Sequence, residues 1–253
     1  MATLIFNSYN LQTSNIITEK VLHTSAPEND LITESKARRD GSFLMSNYWR
    51  KKTIFVTGHI IGTSISNLES RIDTLKQNLV GQKKSLDVGY AGGTRRYTAT
   101  VKSITIEREH FNSYWCPFSI EFECANPFGE AISSTTETLL AQTSSPFSKV
   151  ITMIGSIGAY PVITIDLTSG DNVTAIEIKN TTLGDFITIA RSFSDAESLV
   201  VDCENLTVQV DSTEVDFTGV FPAFEIGTNT VDITVTGTPF NVDLTLVYTA
   251  SYI

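Results

Sequence analysis

The sequence predicts a mainly β chain in two parts: an N-terminal β-sandwich or barrel carrying one α-helix, then a C-terminal antiparallel β-sandwich. Three observations carry this. The 253 residues include 34 Thr, 25 Ile and 18 Val, so about three residues in ten are β-branched and suit a pleated, half-buried surface. Short apolar runs of period two recur along most of the chain, and one segment alone has a helical period. The charge also changes character midway. Residues 1–125 hold 15 basic and 12 acidic side chains and residues 126–253 hold 3 and 16, which divides the formal net charge of −10 into +3 and −13.

In the first half, Ile54, Val56 and Ile60 alternate along one strand and Tyr97, Ala99 and Val101 along another. Ile104 and Ile106 follow in the opposite phase, which predicts a β-bulge near Lys102 and Ser103. The helix is expected over about 65–79, because Ile65, Leu68, Ile72, Leu75 and Leu79 recur at 3,4 spacing and Ser66 with Glu69 has the form of a capping box. The cleanest strand follows: Tyr114, Cys116, Phe118, Ile120, Phe122 and Cys124 alternate with Trp115, Ser119, Glu121 and Glu123, predicting one buried and one wet face. The Ser/Thr/Gln/Pro-rich stretch 131–149 reads as a linker, which sets the N-terminal domain at 1–130 and the C-terminal one at 150–253. In the latter the apolar sets are Ile163-Ile165-Leu167, Ile176-Ile178, Leu206-Val208-Val210, Val231-Ile233-Val235 and Val242-Leu244-Leu246-Tyr248, separated by Gly/Asn/Asp turns. Short punctuated strands of this kind imply a sandwich of jelly-roll or galectin type.

Chemistry is sparse. His23, His59 and His110 are far apart, with no metal-ligand spacing, nucleophile elbow or Cys-x-x-Cys beside them, so the expectation is no enzyme, no metal and no cofactor. Cys116, Cys124 and Cys203 read as buried thiols of a reducing compartment. Met1 to Phe6 has no basic run of a signal peptide, and no stretch reaches the roughly 20 apolar residues of a membrane span. Gly89 to Arg96 reads as a hairpin with a basic rim before a phosphate cradle. Asp211 to Asp216 lacks the glycine and distant Glu of a calcium loop. Lys36, Arg38 and Arg39, then Arg50, Lys51 and Lys52, form two basic clusters around Gly41. An ionic protein interface outweighs nucleic-acid binding for them in an acidic chain.

The order of an Arg39-Asp40-Gly41 turn, the strand Thr53 to Ile61, the helix Ser66 to Lys76, the strand Arg95 to Val101 and the run Pro117 to Phe128, closing on Phe122-Glu-Cys124-Ala-Asn-Pro127-Phe128, resembles the N-terminal domain of siphophage distal tail proteins. Pro161 to Ile165, Ile176 to Asn180, Leu199 to Asp202 and Asp216 to Pro222 are similar to that family's C-terminal galectin-like sandwich. The resemblance implies a structural virion component of the tail tip, assembled in the host cytoplasm. It further implies a homo-hexameric ring around the DNA channel, between the tail tube protein and the tail-tip or hub protein, with the tape measure protein nearby. DNA would pass through without specific binding. Short turns leave no space for an inserted receptor-binding arm. The exposed hairpin around Gly41 is expected to cross to a neighbour, with Arg38, Arg39, Asp40, Arg50, Lys51 and Lys52 in the subunit contact. The competing expectation is a carbohydrate-binding β-sandwich module that helps attach to the host surface, with Tyr160, Tyr248 or Tyr252 as stacking rings.

Overall fold

In the computed structural model, which describes residues 3–90, 92–108 and 114–253, the chain separates into two compact units, Met1–Ile132 and Ser133–Tyr252. Among the described residues strands take 57% and one helix is present, so the mainly β expectation holds.

The strands of the first unit are β1 (Leu4–Phe6), β2 (Tyr9–Asn10), β3 (Ile16–Leu22), β4 (Asn29–Ser35), β5 (Ser42–Trp49), β6 (Lys52–Ile61), β7 (Lys84–Tyr90), β8 (Gly93–Ile106), β9 (Trp115–Cys124) and β10 (Gly129–Ala131), with helix α1 (Ile65–Asn78) after β6. All but β4 and β5 belong to one antiparallel sheet of order β2-β1-β7-β8-β9-β6-β3, with β10 added beside β8. Leu11 links the sheet's two ends. Its N–H donates to the Leu4 carbonyl at 2.8 Å and its carbonyl accepts from the Thr18 hydroxyl at 2.7 Å. Alternation sends Phe6, Ile54, Val56, Ile60, Leu86, Phe118, Ile120 and Phe122 inward, where all are buried. Residues 101 and 103 of β8 face 122 and 121 of β9, so the bulge falls on Lys102 as the phase slip predicts.

Helix α1 closes this core with Leu68, Ile72, Leu75 and the C-capping Leu79, while Ile65 stays 55% exposed. Its N-cap is Ser64, not Ser66: the Ser64 hydroxyl accepts from the Asn67 N–H at 3.2 Å, and Asn67 Oδ1 accepts from the Thr63 N–H at 3.1 Å. The reciprocal pair sits two residues earlier because Ser64 has the extended φ of −157° that a cap needs. Gly62 permits the close approach of the helix, since a Cβ there would lie 2.7 Å from that of Leu68.

The second unit contains β11 (Thr135–Gln142), β12 (Phe147–Met153), β13 (Val162–Ser169), β14 (Ala175–Asn180), β15 (Phe186–Ile189), β16 (Ser198–Asp202), β17 (Thr207–Val210), β18 (Thr213–Glu214), β19 (Thr218–Gly219), β20 (Gly227–Thr236) and β21 (Asn241–Tyr248). They form two antiparallel sheets, β11-β21-β13-β16-β17-β18 and β12-β20-β14-β15-β19. Buried Ile163, Ile165, Leu199, Val201 and Leu244 come from the first, and Ile151, Ile176, Ile178, Ile187 and Ile233 from the second. Two expectations are corrected. The stretch 131–149 is not a linker; it supplies β11 and the start of β12. Leu206 does not belong to a core set: it sits in a turn at φ +58° and is 61% exposed.

Candidate assembly interface

Strands β4 and β5 stand apart from both units' sheets. Their register runs from Asn29 opposite Trp49 to Ser35 opposite Ser42, with a bulge at Met45 between the Ile32–Ser46 and Thr33–Leu44 pairs. The turn is held by the Lys36 N–H donating to the Gly41 carbonyl at 3.1 Å, and it uses positive φ at Arg38 (+59°) and Gly41 (+95°). Among the described residues neither strand pairs with a third. An isolated two-stranded ribbon is marginal in water.

The ribbon is apolar on both faces. Ile32, Phe43 and Tyr48 project from one and Leu31 and Leu44 from the other, following the register; with Met45 at the bulge, these residues are 48% to 61% exposed. Scattered single apolar residues need no explanation, but a contiguous set of this kind marks an interaction surface.

The root of the ribbon is pinned by charge. Asp30 Oδ2 accepts from the Tyr48 hydroxyl and from the Arg50 guanidinium, each at 2.8 Å. Arg50 first, then Tyr48, holds the Asp30 carboxyl below the usual carboxylate range. Glu28 lies 3.7 Å from the same guanidinium, and Lys51 pairs with Glu123 of β9 at 2.6 Å. At the tip, Arg38, Arg39 and Asp40 are exposed, and among the described residues no carboxylate pairs with either arginine.

Lys52 departs from the expected contact set. It opens β6 on the inward side, opposite Cys124, because it shares the phase of Ile54 and Val56, and it is buried at 3% exposure. Its ammonium lies 5.2 Å from the centroid of the Tyr97 ring and makes no hydrogen bond among the described residues.

The structure draws together only part of the remaining chemistry. Glu19 lies 3.0 Å from His59 Nδ1, the His23 ring lies 5.6 Å from that of Tyr90 at a tilt of 42°, and His110 lies outside the described residues. No cluster of potential metal ligands occurs among the described residues. Gly89 and Gly93 sit in the β7–β8 hairpin, where Arg96 grips Asp87 with two bonds of 2.7 and 2.8 Å and Arg95 lies over Tyr90; Ala91 lies outside the described residues. The carboxylate of Asp211 accepts from the Ser198 N–H. A cavity of about 310 Å³ lies at the seam of the first sheet, lined by Leu4, Thr18, Glu19, Val21, His23 and Tyr90 among others. Of the candidate sugar-stacking rings, Tyr160 is 59% exposed and Tyr248 is buried at 4%.

Two family models match in tandem: residues 6–124 match the phage tail protein RIFT-related domain, and residues 154–252 match the siphovirus-type tail component, C-terminal domain. Among solved structures, the chain is similar to the Dit (gp 19.1) protein of phage SPP1, described as a paradigm of the hub adsorption apparatus in phages infecting Gram-positive bacteria. The TM-score is 0.75 at 14% identity, over 100% of both chains. At that identity the likeness shows the fold. A chain of the phage P2 baseplate in its activated conformation with Ca is matched at 9% identity with a TM-score of 0.49, over 98% of each chain. No curated protein matches the sequence.

Proposed function

The chain belongs to the siphovirus-type tail component family, and from that premise we propose that six copies close a ring that joins the tail tube to the tail tip around the DNA channel. Its role as a structural component of the distal tail and hub, within the virion, rests on both domain matches. The ring, its copy number and its named neighbours are the proposal: tail tube protein on one face, tail-tip or hub protein on the other, the tape measure protein nearby, and DNA passing without specific contacts. Assembly in the host cytoplasm and the absence of catalysis belong to the same reading.

One observation carries it. The β4–β5 ribbon carries large apolar side chains about half exposed on both faces, and among the described residues no third strand covers them, so the folded chain presents a surface that association removes from water. A cyclic ring needs such a heterologous contact, with one surface of each copy meeting a different surface of the next. Replacing residues 30–48 by a short Gly-Asn-Gly turn removes no side chain of the buried core. The circular dichroism spectrum should therefore stay strand-rich while native mass spectrometry loses the ring. A deletion variant that still assembles contradicts the reading.

A second reading, glycan binding by the C-terminal unit, has one observation in its favour. Phe217 and Phe221 meet edge to face at 4.9 Å, Phe217 and Phe186 are 39% and 44% exposed, and Asp185 and Asp216 adjoin them in sequence. Exposed rings beside carboxylates suit sugar stacking. A glycan array probed with the full chain and its Phe217→Ala variant tests it: saccharide-dependent signal lost in the variant supports the reading, and silence from both removes it.

A further inference from the structure

We propose that the cavity at the seam of the first sheet binds a small oxyanion of phosphate type, which bridges β3 to β1 and the end of β7. The site lies within a single chain and needs nothing from the ring. At about 310 Å³ it stands at the small end of ligand-binding cavities. Thr3 and Leu4 form one wall with Gly89 and Tyr90, and residues 18–21 with His23 form the other. Among the described residues β3 pairs with β6 and not with β1. The two walls are therefore joined there through Leu11 and Gln12 rather than by a strand ladder.

The polar groups left over in the lining are mostly donors. Gln12 Oε1 accepts from the Thr18 N–H at 2.8 Å, which occupies the amide oxygen and leaves the NH2 to donate. The Thr18 hydroxyl already donates to the Leu11 carbonyl. Lys20 is exposed on the rim, and neither its ammonium nor the Thr3 and Tyr90 hydroxyls bond a partner among the described residues. Hydroxyls serve either way, but an ammonium and an amide NH2 only donate. Glu19 is the one carboxylate of the lining. It lies 3.0 Å from His59 Nδ1, and Lys20 beside it in the chain offsets its charge. A ligand made of acceptors suits such a set.

His23 supplies the second, independent observation. Its Nδ1 is buried and has no hydrogen-bond partner among the described residues, and the Tyr90 ring beside it carries the Arg95 guanidinium at 5.5 Å. Burial first of all lowers the His23 pKa; the Val21 carbonyl pulls it up without a full hydrogen bond to Nδ1, and the Lys52 ammonium pushes it down again. Lys52 is itself buried, and its ammonium is unbonded. Two buried nitrogen groups near each other, with no carboxylate bonded to either, are a costly arrangement. An oxyanion in the cavity relieves it. It accepts from His23 Nδ1–H, and the Lys52 charge, which does not line the cavity, adds attraction through space. Held by His23 and Lys20 on one wall and Thr3 and Tyr90 on the other, the ion ties the open seam together.

The test is equilibrium dialysis of the full chain against radiolabelled inorganic phosphate at pH 7, with sodium chloride holding the ionic strength constant. The expected result is saturable binding of one phosphate per chain. Lys20→Gln and His23→Phe should each weaken it by about fivefold, while Lys179→Gln in the second unit should leave it unchanged. Binding that does not saturate, or that falls as much in Lys179→Gln, overturns the site. A second measurement needs no change to a buried residue. Phosphate should delay thermal unfolding of the parent chain more than that of the Lys20→Gln chain, the shared part being the ion's general salt effect. Equal delays in the two chains would contradict the site.

Discussion

The Lys52 ammonium lies 5.2 Å above the Tyr97 ring, sealed at the end of the first unit's core without a hydrogen-bond acceptor among the described residues. The ring face supplies some attraction for the cation, but it does not replace the lost hydration. Burial depresses the Lys52 pKa, and the same burial pushes the Tyr97 phenol up to about 12.

This pair predicts a stabilising substitution. With the folded pKa of Lys52 lowered below 10.5, the unfolded chain holds more protons in the interval between the two values. The site's contribution to stability therefore rises with pH, and its penalty is full at neutral pH. Lys52→Met should raise the stability by about 1 kcal/mol at pH 7, and the gain should shrink as the pH approaches 10.5. Denaturant titrations at pH 7 and pH 10 read both. A loss of stability at pH 7 would show that the ammonium has a partner.

The three thiols should be inert in the folded chain. Cys116, Cys124 and Cys203 form no disulfide and are buried, and burial pushes Cys124 and Cys203 up to about 12. A thiol with a raised folded pKa keeps its proton while the unfolded chain loses it, so its contribution falls as pH climbs from 9 towards 12. At pH 8 Ellman's reagent should find no thiol in native protein and three after unfolding. Reaction of the native chain at comparable speed would contradict the packing.

Asn229 should be the most sensitive polar position of the second unit. Both Asn180 and Asn229 are fully buried. Asn229 Oδ1 accepts from Asn180 Nδ2 at 3.2 Å and from the Glu225 N–H at 3.0 Å, and its Nδ2 donates to the Glu225 carbonyl at 2.7 Å. Asn229→Leu strands these groups and should cost about 2–3 kcal/mol. A denaturation midpoint unchanged from the parent would show that water replaces the side chain.

What was legible in the sequence follows from how strongly each residue's environment constrains it. The run from Cys116 to Cys124 has a buried and a wet face, so its alternation is plain, and α1 and the slip at Lys102 are visible for the same reason. Strand β11 was hidden because most of its residues are exposed on both faces, which leaves a polar run indistinguishable from a linker. Lys52 misled through its charge, although its phase with Ile54 and Val56 marked it as inward. The basic tip of the hairpin was readable as Lys36, Arg38 and Arg39. Its two apolar faces were not, because side chains projecting both ways along one ribbon leave no period.

The central claim is that this chain closes on itself through the hairpin into a ring of six. Native mass spectrometry of the purified full chain at micromolar concentration, alone and mixed with the tail tube protein, tests it most directly. The account predicts a six-copy species whose abundance rises on mixing, and a chain that stays monomeric in both samples would contradict it.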